Sequence, residues 1–300
     1  MSTRIEVAVM NDKGLVRGNN EDNFFFNDKF MPRNNLDLGG LFAERATQEH
    51  QLYAVCDGMG GADAGEEAAL CAVIALSELL ARGDAAFELG TITHFVQSIS
   101  DRVYLESQQR GGALSGCTIA AMIVNDGYMR LLHVGDSRIY RLRKKRLTRM
   151  TKDHSEVQRM IDMNMISETE AHTHPKRHVI TQYMGMPPME VTVSPAITDP
   201  EPLRKGDIFL ICSDGITDML EDARIQQIMS STPKTTDLCK QLIGEALKNG
   251  GTDNATAMCV RILGAHPGNS LRTLIRKMCA CALLIGLNIA AIATLLWQLY

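Results

Sequence analysis

Four acidic pairs, Glu21-Asp22, Asp57-Gly58, Asp214-Gly215 and Asp253-Asn254, each stand beside an apolar run that reads as a β-strand. A sheet can gather the ends of such strands along one edge, so carboxylates far apart in the chain can meet. Converging carboxylates suit hard divalent cations, because Mg²⁺ and Mn²⁺ favour oxygen ligands in octahedral geometry. The glycine after Asp57 adds a bare backbone carbonyl that a cation can approach closely. Taken alone, Asp57 with Gly58, Gly60, Gly61 and Gly65 reads as a glycine-rich strand-to-helix turn or a weak phosphate loop. Together with the other three pairs it points to a metal enzyme.

The elements that must position these residues follow from periodicity and turn signals. Short strands are predicted over 5–9 and 24–26, and a compact apolar strand over Leu52–Cys56 that stops at Asp57. Glu66-Glu67 then opens a helix to about Ala81, and a second helix covers 85–109. Strands over 118–124 and 129–134 flank Asn125-Asp126-Gly127, a hairpin signal that makes Asp126 a turn residue rather than a ligand. Further strands are predicted over 139–143, 190–193, 208–212 and 255–263, with helices over 155–163, 222–230 and 236–248. Residues 166–188 lack periodicity and read as a long loop, often a functional feature in a compact domain. Strand runs outnumber strand–helix alternations, which predicts an α+β fold with mainly antiparallel sheets and helices packed outside.

The 300 residues, 45% of them apolar, suffice for one large domain or two small ones. A formal net charge of −4 gives no global attraction to nucleic acid. The basic run Arg141, Arg143, Lys144, Lys145, Arg146 reads as a solvated hairpin, with a phosphate-binding patch as the alternative. Most of the eight cysteines sit in apolar runs, none form Cys-x-x-Cys, and the N-terminus lacks a signal-peptide pattern, which places the main domain in reducing cytosol. His133 reads as a core residue, and His154, His174 and His178 as loop hydrogen-bonding groups rather than metal ligands.

From Met278 to Leu296 no residue is charged, and the apolar character resumes to Tyr300. As a helix at about 1.5 Å per residue, residues 278–300 would span about 35 Å, enough for a hydrocarbon core of roughly 30 Å. A buried amphipathic helix is the alternative, but the segment is apolar around its whole circumference. Arg272, Arg276 and Lys277 flank its N-terminal side, which predicts a single-pass anchor with residues 1–277 in the cytoplasm.

Around the acidic pairs lie Arg17-Gly18-Asn19-Asn20-Glu21-Asp22, Gly135-Asp136-Ser137-Arg138, Ser213-Asp214-Gly215 and Gly251-Thr252-Asp253-Asn254-Ala255-Thr256. Thr151-Lys152-Asp153-His154-Ser155 and the stretch from His174 to Thr181 are secondary landmarks. In this order they resemble the metal-dependent serine/threonine protein phosphatases, the PPM or type 2C family, over about residues 4–263. The resemblance implies a four-layer αββα sandwich, two mainly antiparallel sheets flanked by helices. With the apolar tail read above, the chain divides into a phosphatase domain over 1–264, a basic juxtamembrane linker over 265–277 and a transmembrane helix over 278–300. It implies two Mg²⁺ or Mn²⁺ ions bridged by Asp57, with Glu21 and the Gly58 carbonyl on one and Asp214 and Asp253 on the other. Asp22 would hold metal-bound waters, and Asp136 would join Asp214 at a third, weaker ion in bacterial members. Arg17 matches the family's phosphate-binding arginine, and on spacing alone it could instead pair with Glu21. A water between ions about 3.5–4 Å apart would attack phosphorus in line, with no covalent enzyme intermediate.

Two departures from the family pattern stand out. Met59 occupies the place where some members carry a histidine proposed to protonate the leaving oxygen, and Gln182 the place where arginine often follows the Ile-Thr pair. The implied partners are phosphorylated proteins, an opposing Ser/Thr kinase and, through the tail, the membrane, but no nucleic acid. A catalytically weak phosphoprotein-binding scaffold of the same fold is the second reading, and a dinuclear enzyme acting on nucleotides the third.

Overall fold

Strand β1 (Arg4–Asp12) shows why the core residues alternate as they do: Ile5, Val7 and Val9 enter one apolar cluster, while Ala8 between them enters another. Successive side chains of a strand point to opposite faces, so a strand covered on both sides must be apolar at almost every position. The computed structural model describes residues 3–33, 39–60, 64–110, 115–189 and 191–265. The expected membrane helix over 278–300 and the linker from residue 266 lie outside the described residues. Ser2–His266 is one compact unit. Among the described residues no helix is long and apolar enough to cross a membrane.

The remaining strands are β2 (Asp22–Phe26), β3 (Gly40–Ala46), β4 (His50–Gly60), β5 (Ser115–Cys117), β6 (Ile119–Asn125), β7 (Tyr128–Val134), β8 (Arg138–Arg143), β9 (Arg146–Arg149), β10 (Ala196–Ile197), β11 (Glu201–Pro202), β12 (Ile208–Cys212) and β13 (Ala255–Gly264). The helices are α1 (Ala64–Leu80), α2 (Leu89–Gln109), α3 (Glu156–Asp162), α4 (Glu168–Ala171), α5 (Asp214–Thr217), α6 (Asp222–Ser231) and α7 (Thr235–Lys248). One sheet runs β3-β1-β13-β12-β8-β9, and the other β10-β7-β6-β4-β2 with β11 on β7 and β5 on β4. All pairings between these strands are antiparallel.

The two sheets meet across Tyr53 and Val55 of β4 and Phe209, Ile211, Met258 and Val260 of β12 and β13. Leu52, Ala54 and Cys56, on the other face of β4, pack beneath α1 and α2. Leu210, Cys212, Ala257 and Cys259 likewise pack beneath α6 and α7. This is the expected α+β arrangement of antiparallel sheets with helices outside.

Several predicted elements differ in the structure. Strand β4 does not stop at Asp57 but continues to Gly60, because β5 takes over as partner where β6 parts from it. The predicted helix over 85–109 is a 3-10 turn over Gly83–Phe87 followed by α2, the two separated at extended Glu88. Val191–Val193 forms no strand, since the edge of β7 is occupied by β10 and β11. The long loop over 166–188 contains one short helix, α4, closed by a reciprocal Ser167–Glu170 capping box.

The basic run forms the β8–β9 hairpin, with Lys144 and Lys145 at positive φ in its turn. Asp126 likewise sits at positive φ in the β6–β7 turn. His133 is a satisfied core residue, its ring Nε2 lying 2.7 Å from the Lys152 carbonyl.

Candidate metal centre

Register puts the first two carboxylates together: Asp22, opening β2, stands directly opposite Asp57 in β4. Like charges facing across strands repel. In the other sheet, β12 delivers Asp214 at the first turn of α5, and its neighbour β13 begins just after Asp253. Asn254 ties the halves together. Its Oδ1 accepts from the Glu21 N–H at 2.8 Å, and its Nδ2 donates to the carbonyls of Lys13 at 2.8 Å and Asn19 at 2.9 Å.

Burial and mutual repulsion show that the set converges. The Asp57 carboxyl is pushed well above the usual range by burial, then by Asp22, Asp214, Asp136 and Asp253. Asp214 is pushed well above it by burial, then by Asp136, Asp218, Asp253 and Asp22. Burial is also the main cause that raises Asp22 to about 7, Asp136 to about 7, and Glu21 by a smaller step.

Hydrogen bonding divides these groups. Oδ2 of Asp22 accepts from Ser213 Oγ and Thr256 Oγ1, both at 2.7 Å, whereas its buried Oδ1 has no partner among the described residues. Oδ1 of Asp136 is likewise buried and unpartnered among the described residues. Its segment is held by an exchange with His154: the Gly135 N–H donates to His154 Nδ1 at 3.3 Å, and the His154 N–H to the Gly135 carbonyl at 2.8 Å. Burial lowers His154 to about 4, which keeps the ring neutral and able to accept. Arg138 clamps Asp153 in the same segment through Nη2 at 2.8 Å and Nε at 3.1 Å.

Arg17 is the cation that reaches into the set. It pairs with Asp253 at 2.6 Å, not with Glu21, and half of its side chain stays exposed. Among the described residues the other predicted site carboxylates have no ion pair, a costly arrangement for acids shielded from water. Orphaned acceptors of Asp22 and Asp136, clustered acids and a donor set made of oxygen together fit divalent cations.

Close backbone approach supports the same conclusion. The Gly58 N–H donates to the Glu21 carbonyl at 3.1 Å, and a Cβ on Gly58 would stand 2.5 Å from that oxygen and 2.5 Å from the Gly65 carbonyl carbon. Gly58→Ala must part β2 from the start of α1. The expected loss is about 3 kcal/mol of stability, read by thermal unfolding, at the upper end of ordinary overpacking because backbone rather than side chain must yield.

All eight predicted site residues, Arg17, Glu21, Asp22, Asp57, Gly58, Asp136, Asp214 and Asp253, therefore fall in one region. Sequence reading missed Asp218, whose carboxylate groups with Asp214 and His178, the ligand atoms lying within 4.8 Å of one another. His178 Nδ1 lies 3.5 Å from Asp218 Oδ2, so this histidine belongs to the acidic rim rather than only to its loop. The signal for Asp218 is its i+4 spacing from Asp214 at the end of one helical turn. Ser213 and Thr256 were also missed as partners of Asp22, although both flank predicted site residues.

Comparison with known proteins gives a consistent picture. A family model described as Protein phosphatase 2C matches residues 41–249. The chain is 32% identical over 275 residues to the serine/threonine protein phosphatase PstP of Mycobacterium tuberculosis, covering 89% of this chain but only 46% of PstP. It thus spans about half the length of that relative. The serine/threonine phosphatase stp of Listeria monocytogenes is 30% identical, over 83% of this chain and 92% of its own. The crystal structure of M. tuberculosis PstP/Ppp superposes with a TM-score of 0.72 at 30% identity, covering 87% of this chain and all of that one. The catalytic domain of PstP in complex with two manganese ions gives 0.71 at 28% identity, covering 88% of this chain and 100% of that one.

Proposed function

The chain belongs to the protein phosphatase 2C family, and from that premise we propose that it hydrolyses phosphoserine and phosphothreonine esters in proteins. The observation that carries the reading is the converging, mutually repelling acidic set, Asp22 and Asp136 buried and the rest half-buried, in which Asp253 has an ion pair with Arg17 and the other predicted acids have none among the described residues. The two manganese ions held by the PstP catalytic domain supply a precedent for what neutralises it.

In this reading Asp57, Glu21 and the Gly58 carbonyl would hold one Mg²⁺ or Mn²⁺ ion, Asp57, Asp214 and Asp253 a second, and Asp136 with Asp214 a third. When bound, the ions supply positive charge for the phosphoryl oxygens and acidify water at neutral pH.

Everything else is the work of the chain. Asp22 stands behind the ligands, with Oδ2 fixed by Ser213 and Thr256 and Oδ1 left to accept from water. Arg17, half-exposed and held only by Asp253, exchanges that carboxylate for two phosphoryl oxygens, which its planar fork fits better than a lysine would. Met59 has no proton to give, so the proton for the leaving serine or threonine oxygen comes from water. No side chain needs to form a covalent bond to phosphorus.

The test is hydrolysis of a phosphothreonine peptide by residues 1–265 with Mn²⁺. Activity that survives EDTA would overturn the reading. The scaffold alternative is favoured instead if calorimetry finds no Mn²⁺ binding.

The apolar run over 278–296 with its flanking Arg272, Arg276 and Lys277 supports a membrane anchor that keeps this domain in the cytoplasm, where it would oppose a Ser/Thr kinase. In a wash of about 0.5 M salt, which screens surface charge, full-length protein is then expected to sediment with membranes, and a chain ending at Ser270 to stay in the supernatant. An unchanged distribution after truncation rules the anchor out.

A further inference from the structure

The sheet that contains β13 is electrically polarised along its strands. Its acidic end carries Asp214 and Asp253. At the opposite end lie the β8–β9 turn, the turn at Arg204–Gly206 and the ends of β1 and β13, where Arg4 pairs in register with Gly264. The Gly206 N–H donates to the Ile262 carbonyl at 2.8 Å, which fixes the 204–206 turn beside the last residues of β13.

Ion pairing sorts the basic residues there into two groups. Arg141 pairs with Glu201, and Arg143 with Asp207 at 2.6 Å, so these two brace the hairpin. Arg4, Lys144, Lys145, Arg146, Arg204 and Lys205 are all exposed and have no carboxylate partner among the described residues. A depression of about 280 Å³ opens between the hairpin and the C-terminal end of α6, lined by Lys144, Lys145, Ser231, Thr232 and Arg261. The buried Nε of Arg261 has no acceptor among the described residues, and its Nη2 makes a long contact, 3.5 Å, to the Thr232 carbonyl.

Negative groups at this end are few. Glu6, opposite Arg261 in register, leans towards Arg45 at 3.8 Å, and Glu49 and Asp237 stand nearby in their turns. The C-terminal carbonyls of α6 contribute roughly half a negative charge. A surplus of several positive charges remains, on a protein whose formal net charge is −4.

We propose that this basic end of the sheet is a contact surface for an anionic lipid bilayer. The occupant is argued from position and charge. The described chain leaves the domain at Gly264–Ala265, on the same end, and the sequence soon afterwards carries Arg272, Arg276 and Lys277 before its uncharged run. The surface rests on the anchor reading for its biological setting and extends it, since it fixes which way the domain faces. Arg261 is six residues along β13 from Ala255, about 20 Å at strand rise, and Asp253 precedes that strand, so lipid contact leaves the acidic centre open to the cytoplasm.

Residues 2–266 form their own compact unit, and the catalytic domain of a relative has been solved on its own, so residues 1–265 can be tested without the tail. They are expected to sediment with phosphatidylglycerol-containing vesicles at low salt but not with pure phosphatidylcholine vesicles. Lys144→Ala with Lys145→Ala should weaken that binding about 25-fold, at about fivefold per lysine near an anionic surface, and raising salt to about 0.5 M should abolish it. The double variant should keep its activity on a phosphothreonine peptide. Equal sedimentation with both vesicle types, no sedimentation with either, or an unchanged double variant would each overturn the proposal. So would equal affinity of the wild type for single-stranded RNA, which would mark the surface as a general polyanion site. If the vesicle assay fails while truncation at Ser270 still releases the full chain, the surface falls and the anchor stands.

Discussion

Asp57→Asn is expected to lower phosphopeptide hydrolysis by about a thousandfold or more while making the metal-free domain more stable. The two effects have opposite signs because the same carboxylate serves the ions and strains the fold. Asp22 faces it across the strands, and Asp214, Asp136 and Asp253 all press on it. Asparagine keeps the size of the side chain and removes a charge that folding must neutralise. A gain of about 1–3 kcal/mol in EDTA, several degrees in melting temperature, is the expected scale. Steady-state kinetics with Mn²⁺ and calorimetry in EDTA read the two halves separately. A variant that loses activity and stability together would mean that Asp57 is structural.

The second large effect is a stability profile that metal reverses. Burial raises the folded-state values of Asp22 and Asp136 from 3.8 to about 7. A group raised in the folded state takes up protons on folding, so its contribution is fully present below the unfolded value and disappears as pH rises through the folded one. The chelated domain should therefore lose stability between about pH 4 and pH 7, by up to about 4 kcal/mol for a single such carboxyl. Adding Mn²⁺ should restore it at pH 7–8 and do little at pH 4, where the ligands are protonated. Melting curves at pH 5 and pH 8, with EDTA or Mn²⁺, give the answer. A chelated domain that is more stable at pH 8 than at pH 5 would contradict the buried acidic centre.

The identity of the site was legible in the sequence because each acidic residue stands at a boundary marked by pattern: apolar strand before Asp57 and Asp214, glycine after both. What could not be read is how they converge. That depends on β13 pairing with β12, some fifty positions before it, and with β1, some two hundred and fifty before it, contacts that no local pattern encodes. Edge strands β3 and β9 escaped notice because Gly40–Ala46 and Arg146–Arg149 are largely exposed and lack the apolar runs of the central strands. Glu190–Val193 erred the other way: its alternation suits a strand, but β10 and β11, which follow it in the chain, take the edge of β7. His178 and Asp218 meet only through the path of a long loop, which sequence does not specify.

Strand β13 is among the later parts of the chain to be made, yet it lies in the middle of its sheet, between β1 and β12. On the ribosome, β1 must wait for a partner that is synthesised some 250 residues later, and the gap in the sheet stays open until then. Asp253 and Asn254, which stitch the Arg17–Glu21 loop in place, arrive in the same late stretch. A nascent chain therefore lacks the complete acidic set until translation of the domain is all but finished, and a product that ends before residue 253 would carry neither Asp253 nor the strand that closes the sheet between β1 and β12.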